Sequence, residues 1–210
     1  MPHGHDVERF NQMAERYERH WLQRVVFDPV QKTVLDLAQE TVARPAAILD
    51  VGCGTGRLLR LAEQRFPNAR LAGVDAAAEM VKQAKASVPE GSVIRIQQGV
   101  AEALPFGDAE FDLVFSTLTF HHWQNQGKGI SEVARVLAAG GRWLVADLMP
   151  TGLIGSVLRV FRMHQFPPRA RFETMAGAAG LAIAAERRVP GLGGQLNVVA
   201  IATRPGQPAG

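Results

Sequence analysis

The chain has 210 residues, of which 47% are hydrophobic, with one cysteine and a formal net charge of +3. That length and apolar content give one domain an ample core without disulfides or a structural metal. Cys53 alone excludes an intramolecular disulfide and points to a reducing compartment, with the cytoplasm as the expectation.

The arginines are scattered among Glu and Asp and aromatics make up only 7%, so nucleic acid is not expected as a partner. No apolar run approaches the ~18 residues of a membrane span, and the opening MPHGHDVERF lacks a signal peptide's apolar core. Neither a span nor a leader is therefore expected. On oligomeric state the sequence is silent.

In chain order, two helices are expected before the first strand, from Val7 to Leu22 and from Pro29 to Ala43. Met13, Tyr17, Trp21 and Val25 fall on one helical face. Helix and strand patterns then alternate, with strands expected at Ala47 to Val51, Leu71 to Asp75, Val93 to Gln97, Phe111 to Ser116 and Arg142 to Asp147. That alternation is the pattern of an α/β, doubly wound parallel sheet with helices on both faces. Gly140 and Gly141 are expected to end the helix that starts near Lys128.

The apolar, basic stretch LMPTGLIGSVLRVFRMHQFPPRARF follows, broken at Pro167 and Pro168, and is the candidate substrate-side cap. A helix from Arg171 to Ala179 and two strands, Leu181 to Val189 and Leu196 to Thr203, complete the chain. The short PGLGGQ connection suits an antiparallel pair. One domain is expected over 1–210: helices and lid in 1–45, core in 46–147, cap and last strands in 148–204, and a frayed tail in 205–210.

The stretch ILDVGCGTGRLLRLAEQ, Ile48 to Gln64, runs from a buried strand through Gly52, Gly54 and Gly56 into an amphipathic helix. A P-loop would need Lys and then Ser or Thr after its last glycine, whereas Arg57, Leu58 and Leu59 stand there. The dinucleotide fingerprint G-x-G-x-x-G is not met either, because Arg57 occupies the third glycine position. A tight turn without a ligand is the competing reading.

Asp75 closes the next strand, 25 positions after Asp50. A carboxylate about 20 residues past such a turn is placed to accept hydrogen bonds from a ribose diol, or else to cap a helix. Together, a glycine turn without phosphate-binding spacing and a ribose-directed acid suggest a nucleoside ligand lacking a pyrophosphate.

With these residues the chain resembles the class I S-adenosylmethionine-dependent methyltransferases, in particular the small ubiquinone- and menaquinone-biosynthesis-like group (type 11). LDVGCGTG, GVD, GVAEALPFGDAEFDLVFS and HHWQNQGKGISEVARVLAAGGRWLVAD carry the resemblance, from roughly Phe10 to Asp147. It implies a Rossmann-like, seven-stranded, mostly parallel sheet whose antiparallel last strand inserts between its neighbours.

The resemblance also implies S-adenosyl-L-methionine as cofactor and a small-molecule methyl acceptor. Gly52, Gly54 and Gly56 would admit the amino-acid and ribose portions, Asp50 would orient the ammonium and Asp75 would hold the ribose. Ala76 and Met80 would lie on the cofactor side. Val100 and Ala101 would edge the adenine, Ser116 would offer backbone to the ammonium, and Tyr17 would reach the cofactor from a closing helix.

The family usually has an acidic residue where Val100 stands, which puts an adenine contact in doubt, with Glu102 nearby. His121 and His122 follow the fourth strand. Adjacent histidines diverge, so no metal site is expected of them. His121 is the candidate general base, since imidazole accepts a proton near neutral pH, and a structural hydrogen bond is the competing role. Cys53, between turn glycines, reads as a small packed residue. A non-catalytic member of the fold, suggested by Val100, and an RNA methyltransferase, for which STLT lacks the asparagine-proline signature, are the rival functions.

Overall fold

A computed structural model describes residues 7–8, 11, 27–148, 167–190 and 196–203. Tyr17 and most of the first expected helix, most of the expected cap and the 205–210 tail lie outside them. The described elements are α1 (Asp28–Thr41), β1 (Ala47–Val51), α2 (Arg57–Arg65), β2 (Arg70–Asp75), α3 (Ala78–Ser87), β3 (Ile94–Gln98) and β4 (Phe111–Thr117). A 3₁₀ turn (Phe120–His122) follows, then α4 (Gln126–Val136), β5 (Leu137–Leu148), α5 (Arg169–Ala178), β6 (Leu181–Arg188) and β7 (Leu196–Thr203).

The strands form one sheet in the order β3-β2-β1-β4-β5-β7-β6. Strands β1 to β5 pair in parallel, which is the doubly wound Rossmann-like arrangement. Strand β7 runs antiparallel to both β5 and β6. The chain moves outward from β1 through β2 to β3, then returns to place β4 on the other side of β1. That reversal opens a crevice beyond the carboxyl ends of β1 and β4, where ligands bind in such sheets.

All five residues of β1 are buried, as a central parallel strand covered on both faces requires. Alternation divides its side chains between two cores. Ile48 packs with Val34, Leu58 and Leu59 under α1 and α2. Leu49 and Val51 pack with Ile130, Val133, Trp143 and Phe172 under α4 and α5. In β4, Phe111 faces the α4 core while Leu113 faces the α1 core, because the register against β5 shifts between them.

That shift corrects one expectation. Gly140 and Gly141 do not end a helix: α4 stops at Val136, Leu137 N–H donates to Val133 O and already belongs to β5. Gly140 has φ +78°, and a Cβ on Gly141 would stand 2.9 Å from the carbonyl oxygens of Ala138 and Asp112. The glycine pair thus lets β5 pass close to β4 at its irregular start.

Candidate active site

The turn after β1 begins with Gly52 N–H and Cys53 N–H both donating to Val74 O, at 2.8 and 3.1 Å, which ties the ends of β1 and β2 together. Gly52 has φ +79°, and a Cβ there would lie 2.1 Å from Thr119 Oγ1. Only glycine permits both the backbone sign and that approach. Gly54, at φ +53°, has nothing within 4 Å of its Cβ position, so its bare face looks into open space. Gly56 precedes α2 in the left-handed conformation.

Gly52 and Gly54 border a cleft at the sheet's carboxyl edge, whereas Gly56, expected there, is not on its wall. Asp50 and Asp75 both line it. Asp50 is 1% exposed, and its Oδ1 has no hydrogen-bond partner. Burial, with the Asp75 carboxylate adding to it, pushes its pKa up to about 8.

Asp75 Oδ2 accepts from Gly54 N–H at 2.8 Å and its Oδ1 from Ala77 N–H at 2.9 Å. Burial raises its pKa while those two amides oppose the rise. It thus braces the glycine turn and the approach to α3, whose N-cap position is Ala77.

Ala76, Met80, Val100 and Ala101 also line the cleft. Met80 is buried, whereas Val100 is 42% exposed at the rim and bridges to Ala103. Glu102 Oε1 accepts from Asn125 N–H at 2.9 Å, tying the loop after β3 to the start of α4. Ser116 is not on the cleft wall. It is fully buried within β4, opposite Val145, and its Oγ accepts from Trp143 Nε1 at 3.1 Å. The wall there is Thr117, Leu118 and Thr119. Leu118 holds φ +54°, a strained conformation for leucine of the kind that gathers at binding sites.

His121 Nδ1 lies 3.0 Å from Asp147 Oδ1, and its backbone N–H donates to Asp147 Oδ2 at 3.1 Å. Asp147 is 1% exposed, so the pair joins the ends of β4 and β5 beneath the surface. The two histidine rings meet at 3.8 Å between centroids. It is His122, with Trp123 and Gln124, that stands on the cleft wall. Burial pushes the Cys53 thiol well above its ordinary range, which keeps it neutral. Among the described residues no group of three or more His, Cys, Asp or Glu could hold a metal.

Sequence reasoning missed Gln31, Arg57 and Thr119 on this wall. The approach of Thr119 to Gly52, which leaves no room for a Cβ, exists only in the folded chain and had no counterpart in the sequence.

The family model described as a methyltransferase domain matches residues 49–145, the stretch that builds the cleft. The demethylmenaquinone methyltransferase of Deinococcus radiodurans is 32% identical over 76% of this chain and 68% of its own length. The chain belongs to the S-adenosylmethionine-dependent methyltransferases.

The demethylmenaquinone methyltransferase of Thermus thermophilus is 35% identical over 65% of this methyltransferase and 63% of itself. The chain thus spans about two thirds of the length of these relatives. Among solved structures, the YcgJ protein of Bacillus subtilis superposes with a TM-score of 0.65 at 25% identity, over 82% of this chain and 99% of its own. A putative methyltransferase of Haloferax volcanii, solved with the Trm112 activator, superposes with a TM-score of 0.74 at 20% identity, over 93% and 98%.

S-adenosylmethionine is the methyl donor of this family. The residues present fit it: a buried carboxylate oxygen without a partner suits a cationic ligand, and the open face of Gly54 leaves room against the backbone. Among the described residues no helix is long and apolar enough to cross a membrane.

Proposed function

We propose that this methyltransferase transfers a methyl group to a small organic acceptor by in-line displacement. The observation that carries the reading is the pair Asp50 and Asp75 at adjacent strand ends, on one cleft, with the glycine turn between them. The names of two kinds of relative, demethylmenaquinone and malonyl-[acyl-carrier protein] methyltransferases, support an acceptor of this class.

When bound, S-adenosylmethionine supplies an electrophilic methyl group on a sulfonium whose leaving group is a neutral thioether. The protein's part is placement and exclusion of water. Held in near-attack geometry, two reactants avoid an entropy cost of up to about 7–11 kcal/mol.

In this reading Asp50 faces the ammonium, Asp75 accepts from the ribose hydroxyls, and Gly52, Gly54 and Gly56 keep the backbone close. Ala76, Met80, Val100 and Ala101 enclose the adenosine, and the amino-terminal helix bearing Tyr17 closes over the site. Val7 already lines the cleft, and Asn11 Oδ1 accepts from Glu79 N–H at 3.0 Å, which supports a lid from that side. Ser116, enclosed within β4, would contribute through its backbone alone. For an acceptor that must shed a proton, His121 is the proposed base, its imidazole oriented by the contact between Nδ1 and Asp147.

Titration calorimetry with S-adenosylmethionine and S-adenosylhomocysteine tests the reading. Both are expected to bind, and Asp75→Ala to weaken each by roughly 1.5–3 kcal/mol, the range for a hydrogen bond to a charged group. No binding of either at millimolar concentration would remove the proposal. A screen of acceptors for production of S-adenosylhomocysteine then identifies the second substrate.

A further inference from the structure

Thr119 lines the cleft, and its Oγ1 lies 2.1 Å from the place that a Cβ on Gly52 would take, so the hydroxyl rests against the glycine turn. The residue before it, Leu118, holds φ +54°, a conformation that persists in leucine only where surrounding contacts impose it. Those contacts are backbone bonds: Leu118 N–H donates to Ala146 O at 2.7 Å, and Thr119 O accepts from His122 N–H at 2.9 Å. Among the described residues the Thr119 hydroxyl itself has no hydrogen-bond partner.

In the S-adenosylmethionine reading Asp75 takes the ribose and Asp50 the ammonium end. The sulfonium is bonded to both portions of the molecule, so it lies between the ends of β2 and β1. Gly52 opens the turn that joins those ends, its N–H donating to Val74 O. All three atoms nearest its missing Cβ belong to the Thr119 side chain, which therefore faces that stretch of the cleft from the end of β4.

A hydroxyl oxygen carries lone pairs and a partial negative charge. Beside a sulfonium, whose positive charge spreads over its carbon-bound hydrogens, it is attracted by the charge and accepts weak C–H···O contacts. Beside a neutral thioether it gains little from either. The ribose and the ammonium are common to the methyl donor and its demethylated product, so contacts to those ends do not separate the two. We infer that Thr119 discriminates between them, favouring S-adenosylmethionine for entry and S-adenosylhomocysteine for release, with the turn at Leu118 holding the hydroxyl in place. The inference rests on the S-adenosylmethionine reading and adds to it the residue that senses the charge of the reacting centre.

Calorimetry with S-adenosylmethionine and S-adenosylhomocysteine, without an acceptor, reads this discrimination as the ratio of two dissociation constants. Thr119→Ala and Thr119→Val both remove the oxygen, and each is expected to shift the ratio about 2- to 10-fold against S-adenosylmethionine, the size of one ordinary hydrogen bond. Thr119→Ser keeps the oxygen and should hold the wild-type ratio. Altered packing against Gly52 would weaken both ligands alike and leave the ratio unmoved, and binding of S-adenosylhomocysteine also reports that each variant is folded.

An unmoved ratio in Thr119→Ala and Thr119→Val overturns the inference, and so does a shift in Thr119→Ser as large as theirs. Should the wild-type protein bind neither ligand, the S-adenosylmethionine reading itself fails. Binding of both by the wild type, with the ratio unmoved in the variants, removes the role of Thr119 and leaves that reading standing.

Discussion

At the scale of single residues, the surroundings of Asp50 strongly change its hold on a proton. Its ordinary pKa of 3.8 rises to about 8 through burial and the nearby Asp75 carboxylate. The native state therefore holds this proton more tightly than the unfolded chain does. Its contribution to stability is full below about pH 4 and is lost as pH rises toward about 8. Asp50→Asn is expected to flatten that slope and to raise stability at the alkaline end, as urea unfolding across this window would show. An unchanged slope would assign the titration to another group. An ammonium beside Asp50 favours the carboxylate, so S-adenosylhomocysteine should expel a proton on binding near neutral pH. Binding heats measured in buffers of different ionisation enthalpy would record it.

His121 and His122 divide two roles that sequence could not separate. His121 is held by Asp147, whereas His122 stands on the cleft wall. With an acceptor that loses a proton, His121→Ala should lower kcat by about 10²–10⁴-fold, the usual worth of a general base, while cofactor affinity holds. Asp147→Asn should lower kcat in the same direction, and His122→Ala should act mainly on the acceptor's KM. A pH limb of kcat/KM that disappears in His122→Ala instead of His121→Ala would transfer the role.

At the scale of elements, α4 shows packing overriding intrinsic preference. Gly129 lies within this helix, where alanine is favoured by about 1 kcal/mol. A Cβ there would stand 2.4 Å from Trp123 Cε3, and Trp123 is a buried ring on the cleft wall that stacks with Trp143 at 6.0 Å. Overpacking of this kind costs typically about 1–3 kcal/mol, so the clash outweighs the propensity. Gly129→Ala is expected to destabilise by up to about 2 kcal/mol in urea unfolding and to weaken ligand binding through the displaced ring. A gain in stability would show that Trp123 moves aside freely.

Neighbouring contacts hold the loop after β3 in the same way. Glu132 Oε2 accepts from Leu104 N–H at 2.8 Å, and Arg135 donates to the carbonyls of Leu104 and Phe106 and to Asp108. The rim that carries Val100 is thus anchored by α4.

At the scale of the whole molecule, the cleft draws on α1, β1, α2, β2, α3 and the ends of β3 and β4, so a ligand seated there binds only the assembled sheet. S-adenosylhomocysteine at 100 times its Kd should then stabilise the protein by about 2.7 kcal/mol. The midpoint of thermal unfolding should rise with ligand concentration, and a midpoint indifferent to the ligand would mean that it does not recognise the native cleft.

Sequence alone determined the alternation of strands and helices, because side chains of a doubly covered sheet must be apolar in runs and its helices must be amphipathic. It also determined the glycine turn and Asp75, since local spacing encodes both. Strand β1 keeps its expected bounds, and β2, β3 and β4 differ by a residue. The early start of β5 escaped sequence reading because the register shift against β4 is a property of two strands together.

Only the tertiary structure decided which side chains share the cleft. Gln31 lies 44 positions before Asp75 along the chain, and no local pattern distinguishes it from an ordinary helix residue. Ser116 left the wall and His122 joined it because the chain turns sharply at Leu118 and Thr119. The oxygens of Gln31 and Asp50 that lack a hydrogen-bond partner lose theirs only on folding, since in the unfolded chain water satisfies each of those atoms and the assembled sheet desolvates them.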